Sequence, residues 1–204
     1  MSYIIESLAN YIFLFFLFCL LEVILLQYYK KKQIKVEVGF IIGYQLLICL
    51  LIAIFTITGI SGINQILLLP YKHMNFVLYL ENIFSYECIM NMIMFIPLGI
   101  ILPLLWKNAR KLYLVLISGF SLSLLIEISQ LFNHRASDIN DIVTNTIGIL
   151  LGYIIYKVFF KKVNIFELDD QNKITQYHGT LQIIVICIVY FFIGSPILSL
   201  IRGF

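Results

Sequence analysis

The sequence predicts an all-α protein, a polytopic transmembrane helical bundle of five to six spans, and three observations predict it. Of 204 residues, 61% are hydrophobic and 12% charged, and the mean hydropathy is +0.98. A soluble domain carries about 25% charged residues, so this chain lacks the polar groups to cover a water-facing surface. Several segments also reach the roughly 20 consecutive apolar residues that cross a hydrocarbon core. These runs are continuous rather than alternating, which excludes a barrel. Helices are the other structure that satisfies every backbone group inside a bilayer.

Six stretches follow in order, and together residues 1–204 read as a single integral membrane domain. The first, 9–28, lacks a basic leader and precedes Lys30, Lys31 and Lys32, the charge order of an uncleaved anchor. Glu22 lies two turns from Lys30 and is expected to snorkel toward that interface. The second spans 38–57. Segment 58–86 then carries Tyr71, Phe76, Tyr79, Phe84 and Tyr86 among aliphatic residues, and is expected to lie in the membrane interface. The third, 87–106, contains Pro97, Gly99 and Pro103, which disturb the helix and are read as packing features. The fourth and fifth, 112–132 and 142–160, are joined by a short link. The sixth, 181–200, is interrupted by Gly194, Ser195 and Pro196.

Charge orients the bundle. Alternate segments assigned to one side hold Lys30, Lys31, Lys32, Lys35, Lys107, Arg110, Lys111, Lys157, Lys161, Lys162 and Lys173; the other side holds Lys72, Arg135 and Arg202. The division is 11 to 3, accounting for all 14 Lys and Arg. By the positive-inside bias the first side is cytoplasmic and the N-terminus extracytoplasmic. With the basic residues placed in this way, the lipid bilayer is the expected partner and nucleic acid is not. Cys19, Cys49, Cys88 and Cys187 sit in or beside apolar runs without CxxC spacing, and read as small packing residues. His73, His134 and His178 form no HExxH pattern.

Polar residues inside spans are costly, so each calls for an account. Gly119, Ser123, Glu127 and Gln130 are spaced 4, 4 and 3, one face of the fourth span. Asp138, Asp141, Asn145, Gly148 and Gly152 are spaced 3, 4, 3 and 4, one face of the fifth. Helices with a short link pack antiparallel, so the two stripes face each other or a shared third helix. Asn91, near the start of the third span, falls at the same depth. Asp138 also suits the N-cap of the fifth span, with Asp141 in its first turn. Gly148 and Gly152 form a small-residue packing motif. Glu127 inside a span is either protonated or held by Arg135 or a cation.

The run from Asn91 through Pro97 and Gly99 to Leu102 and Pro103 resembles the span-three motif of VanZ-like proteins. Glu127 and Gln130, followed by Arg135, Asp138, Asp141, Asn145, Gly148 and Gly152, are similar to that family's second motif. Leu67 to Tyr71 resembles an upstream family element that often reads Asn-Leu-Ile-Pro-Phe, with Leu67 in place of the Asn. The likeness covers about residues 65–160, a VanZ-like core. It implies a multi-pass protein of the bacterial cell membrane. The family's founding member is associated with teicoplanin resistance and related proteins with lipoglycopeptide resistance; no catalytic activity is implied.

Three readings of the polar residues stand side by side. In the first, Asn91, Glu127, Gln130, Arg135, Asp138, Asp141 and Asn145 bind a lipid, a lipid-linked wall precursor or a glycopeptide. Arg135 takes a phosphate or carboxylate and the acids take amino or hydroxyl groups. Segment 58–86 holds the tail. In the second, Glu127, Asp138 and Asp141 hold Mg²⁺ or Ca²⁺, which suits an oxygen-rich set, for chemistry on an isoprenoid- or lipid-linked phosphate. In the third, the polar groups only lock helices together.

Overall fold

A computed structural model describes residues 2–60, 62–65, 85–131, 138–164, 166, 168 and 178–201. Within them run α1 (Ser2–Lys31), α2 (Val38–Thr58), α3 (Tyr86–Leu105), α4 (Leu112–Gln130), α5 (Ile139–Ile155), α6 (His178–Val189) and α7 (Ser195–Ile201). A π-helical turn, Tyr156–Phe160, extends α5, and another, Tyr190–Gly194, joins α6 to α7. Six helical stretches are long and apolar enough to cross a membrane: Leu8–Lys31, Val38–Thr58, Tyr86–Leu105, Leu112–Gln130, Ile139–Phe160 and His178–Leu200. The chain is an all-helical, multi-pass membrane protein.

Local chemistry sets the helix ends. At the end of α1 the Ile34 N–H donates to the Tyr29 carbonyl and the Gln33 N–H to that of Lys30. Gln33 takes a left-handed φ of 58° to allow this paired closure. Gly59 ends α2 the same way, at φ 60°. Ser85 opens α3 by accepting from the Cys88 N–H at 3.3 Å. At the suspected break in the last span, the Ser195 N–H reaches back to the Tyr190 carbonyl. The wider π turn takes up the irregularity just before Pro196, so the helical path continues.

Packing is tightest between α3 and α5. A Cβ on Gly148 would strike the Met92 carbonyl, one on Gly152 the Ile96 carbonyl, and one on Gly99 the Ile149 carbonyl. Glycine on both helices thus lets two backbones touch. Around this pair, α4 packs on α5, α6 on α4, α2 on α3 and α1 on α2. The rim position of α1 shows in burial, 22% of its span against 56% for α2. Cys88 and Cys187 are buried as expected of packing residues, Cys19 is half-buried and Cys49 is exposed on the surface.

The described basic residues gather at one end, at the α1–α2 and α3–α4 turns and beyond α5. Lys72, Arg135, Lys173 and Arg202 lie outside the described residues, as does segment 66–84 with most of the expected interfacial stretch. Glu22 departs from expectation. It does not snorkel toward Lys30 but is 3% exposed and accepts from Gln45 Nε2 of α2. The helix face, not the distance to Lys30 along the chain, decides its partner.

Candidate functional site

The polar residues of α3, α4 and α5 meet at the end opposite the lysines. The α4–α5 connection sits earlier in the chain than expected, at 131–138 instead of 133–141, because α4 ends at Gln130 and α5 starts at Ile139. Glu127 is therefore one turn from its helix end, about 5 Å below it, while Asn145 lies about 9 Å below the start of α5. The polar groups fill a zone rather than a single layer.

Glu127, 1% exposed, turns Oε2 to accept from the backbone N–H of Asp138 at 2.9 Å. Asp138 in turn caps α5, its Oδ1 accepting from the Asn140 N–H at 2.9 Å. The two acids thus form a relay across the α4–α5 connection: a carboxylate fixes the cap and the cap fixes the helix. Asp141 reaches the other way, and its Oδ1 accepts from Asn91 Nδ2 of α3 at 2.8 Å. Deeper down, Asn145 Nδ2 donates to Ser123 Oγ of α4 at 2.9 Å, with Ser123 fully buried. Gln130 Nε2 donates to the Thr58 carbonyl at the end of α2, also at 2.9 Å. Four helices are tied together by these bonds. Arg135 lies outside the described residues.

This end has a surplus of acceptors. Gln130 Oε1, Asn140 Oδ1 and Asn145 Oδ1 are buried and have no hydrogen-bond partner among the described residues. Their side chains are 5%, 3% and 2% exposed. With Glu87, Glu127, Asp138 and Asp141, these oxygens face no Lys or Arg among the described residues at this end. Asn140 is the residue that the stripe analysis misses. It lies one position before Asp141, off the stripe running from Asp138 through Asn145. The available signal was the Asn140–Thr144 pair at i, i+4, which the structure buries together, Thr144 Oγ1 donating to the Asn140 carbonyl at 2.9 Å.

Glu127, Asp138 and Asp141, the residues considered for a cation, stand apart in their bonding. Among the described residues no three His, Cys, Asp or Glu side chains come together in a group able to hold a metal ion. Glu127, Asp138 and Asp141 each serve a different donor, on the link, in α5 and in α3 respectively.

The sequence pattern of the VanZ/LLP1 family matches residues 13–160, well over half of the chain. The chain belongs to the VanZ/LLP1 family. Protein VanZ of Enterococcus faecium is 37% identical over 108 residues, which are 51% of this chain and 62% of that protein. The chain therefore spans less than two thirds of the length of that VanZ relative. No solved structure matches it. The VanZ/LLP1 match begins inside α1 and takes in α2 to α5 and every polar-end residue named above, while α6 and α7 lie beyond it.

Proposed function

We propose that this VanZ/LLP1 protein binds the polar head of a lipid-linked cell-envelope component, or of a lipid-bearing glycopeptide, at the acidic end of its bundle. Binding there would contribute to teicoplanin or lipoglycopeptide resistance. One observation carries the reading: three buried amide oxygens, on Gln130, Asn140 and Asn145, without a donor among the described residues. An unmatched buried acceptor costs about 1–3 kcal/mol, which a ligand hydroxyl, amide or ammonium group would cancel. Sugar and peptide heads are dense in such donors. Arg135 would take a phosphate or carboxylate of the same ligand bidentately.

Two further features support the reading. The 11-to-3 division of Lys and Arg favours an extracytoplasmic position for this end. A cleft of about 170 Å³ opens between α4 and the α6 π turn, lined by Leu125, Ile128, Ser129, Cys187, Ile188 and Phe191 among others. Ser129 adjoins Gln130 along α4, so an apolar tail in this cleft would lie at the same end of the bundle as the polar zone.

The test is thermal stability of the detergent-purified protein with a lipoglycopeptide or a lipid-linked wall precursor, paired with teicoplanin susceptibility of expressing cells. The reading expects one of the two ligands to raise the midpoint, and expects Asn140→Leu to abolish both the rise and any protection. Failure of both ligands to stabilise the native protein overturns it.

A further inference from the structure

Away from the acidic end, α1 and α6 run antiparallel and leave a groove of about 320 Å³ between them. α1 lines it from positions 21, 24, 25 and 28, and α6 from 178, 181, 182 and 185. Both sets follow i, i+3, i+4, i+7, so one face of each helix forms a wall. The walls change character along their length. Toward mid-membrane they are Leu21, Ile24, Leu25 and Val185; toward the basic end they are Tyr28 and His178, with Leu181 and Gln182 one turn further in. One turn beyond Tyr28 on the same α1 face come Lys31 and Lys32, both exposed.

We propose that this groove seats an anionic phospholipid, its acyl chain against the apolar walls and its phosphate against Lys31 and Lys32. Charge complementarity selects this occupant. Among the described residues no carboxylate lines the groove: Glu22 is turned to Gln45, and Glu37 pairs with Lys35 at 3.4 Å. Gln182 Oε1 accepts from the Tyr44 hydroxyl at 3.0 Å, which leaves its amide N–H₂ as the polar group for a ligand. α6 begins at His178, so its dipole adds positive potential at the same end. Among the described residues, donors and cations thus border the place where an acceptor-only phosphate would sit. A zwitterionic lipid would bring its own ammonium group to the lysines.

The protein carries its own reporter. Trp106 is the chain's single tryptophan. Its Nε1 donates to the Tyr29 hydroxyl at 3.4 Å, and the Tyr29 ring stacks on His178 with centroids 5.7 Å apart. One layer of side chain therefore separates the indole from the groove. The full chain is reconstituted in phosphatidylcholine vesicles, into which dibrominated phosphatidylglycerol or dibrominated phosphatidylcholine is titrated. Half-quenching of Trp106 is expected at about fivefold lower mole fraction of the anionic lipid, the effect of one well-placed lysine. Lys31→Gln with Lys32→Gln should erase that difference and leave quenching by phosphatidylcholine as before. Val185→Phe, which narrows the groove, should weaken quenching by both lipids. Unquenched emission at the native wavelength confirms that each variant is folded. Equal quenching by the two lipids in the native chain overturns the proposal. So does an anionic preference that survives the lysine substitutions, or full quenching that survives Val185→Phe.

Discussion

At the basic half of the bundle, polar tips on large rings find one another. Trp106 donates to Tyr29, Tyr29 bonds His178 at 3.3 Å, Tyr44 donates to Gln182, and Ser118 pairs with Thr180 at 2.6 Å. Phe40 fills the space between the Tyr29, Tyr44 and Trp106 rings. Glu22 Oε1 there has no hydrogen-bond partner among the described residues. Toward the acidic end Gly148 lets the α5 and α3 backbones touch, short polar side chains crowd the space, and three amide oxygens have no donor among the described residues. Both regions hold buried polar groups in a solvent that cannot satisfy them. The paired network behaves as a structural lock. The unbalanced one has the surplus of acceptors on which the proposed binding role rests. The lesson is to weigh buried polar residues by the balance of donors and acceptors, and not by their number.

The comparison breaks first at the glycines. Gly148→Ala should cost about 3 kcal/mol, because the added Cβ has only the Met92 backbone to push against. The matching change at the basic end, Gly179→Ala, meets the edge of the Trp106 ring at 3.0 Å and should cost under about 1 kcal/mol. Denaturant unfolding in detergent reads both. Equal losses would mean that backbone contact is not what sets the acidic end apart.

A smaller contrast lies in the hydrogen bonds. Glu127→Ala removes the acceptor of the part-buried Asp138 N–H and should destabilise by about 1–3 kcal/mol. Tyr44→Phe, which deletes one bond of the paired network, should cost about 0.6 kcal/mol, the average for interhelical bonds in membranes. The same unfolding measurement ranks them. A Tyr44→Phe loss larger than that of Glu127→Ala would reverse the assignment of which end depends on its polar groups.

Much of this was legible in the sequence, for local reasons. Spacing alone put Asp138, Asp141 and Asn145 on one face, and the capping role of Asp138 follows from its residue type and place. Asn140 escaped because it sits off that stripe, and its burial is set by the width of the α3–α4 surface facing α5. Glu22 misled because Lys30 is near in sequence, whereas Gln45 is brought near only by packing of α1 on α2. The α1–α6 groove was invisible for a related reason. Both helices are apolar around their whole circumference, so no moment marks the face that lines it. Spacing put Glu127, Asp138 and Asp141 at one end of the bundle, but it could not show that each accepts from a different donor there.

The central claim is that the unmatched oxygens at the acidic end exist to receive a ligand. Asn145→Leu removes one of them together with the bond to Ser123, so stability should change by under about 1 kcal/mol. The decisive measurement is the equilibrium dissociation constant of the detergent-purified protein for the stabilising ligand, in the native chain, Asn140→Leu with Asn145→Leu, and Tyr44→Phe. The account predicts binding weakened about tenfold or more in the double variant, equal to at least 1.4 kcal/mol, and unchanged in Tyr44→Phe. Native affinity in a folded double variant would contradict it.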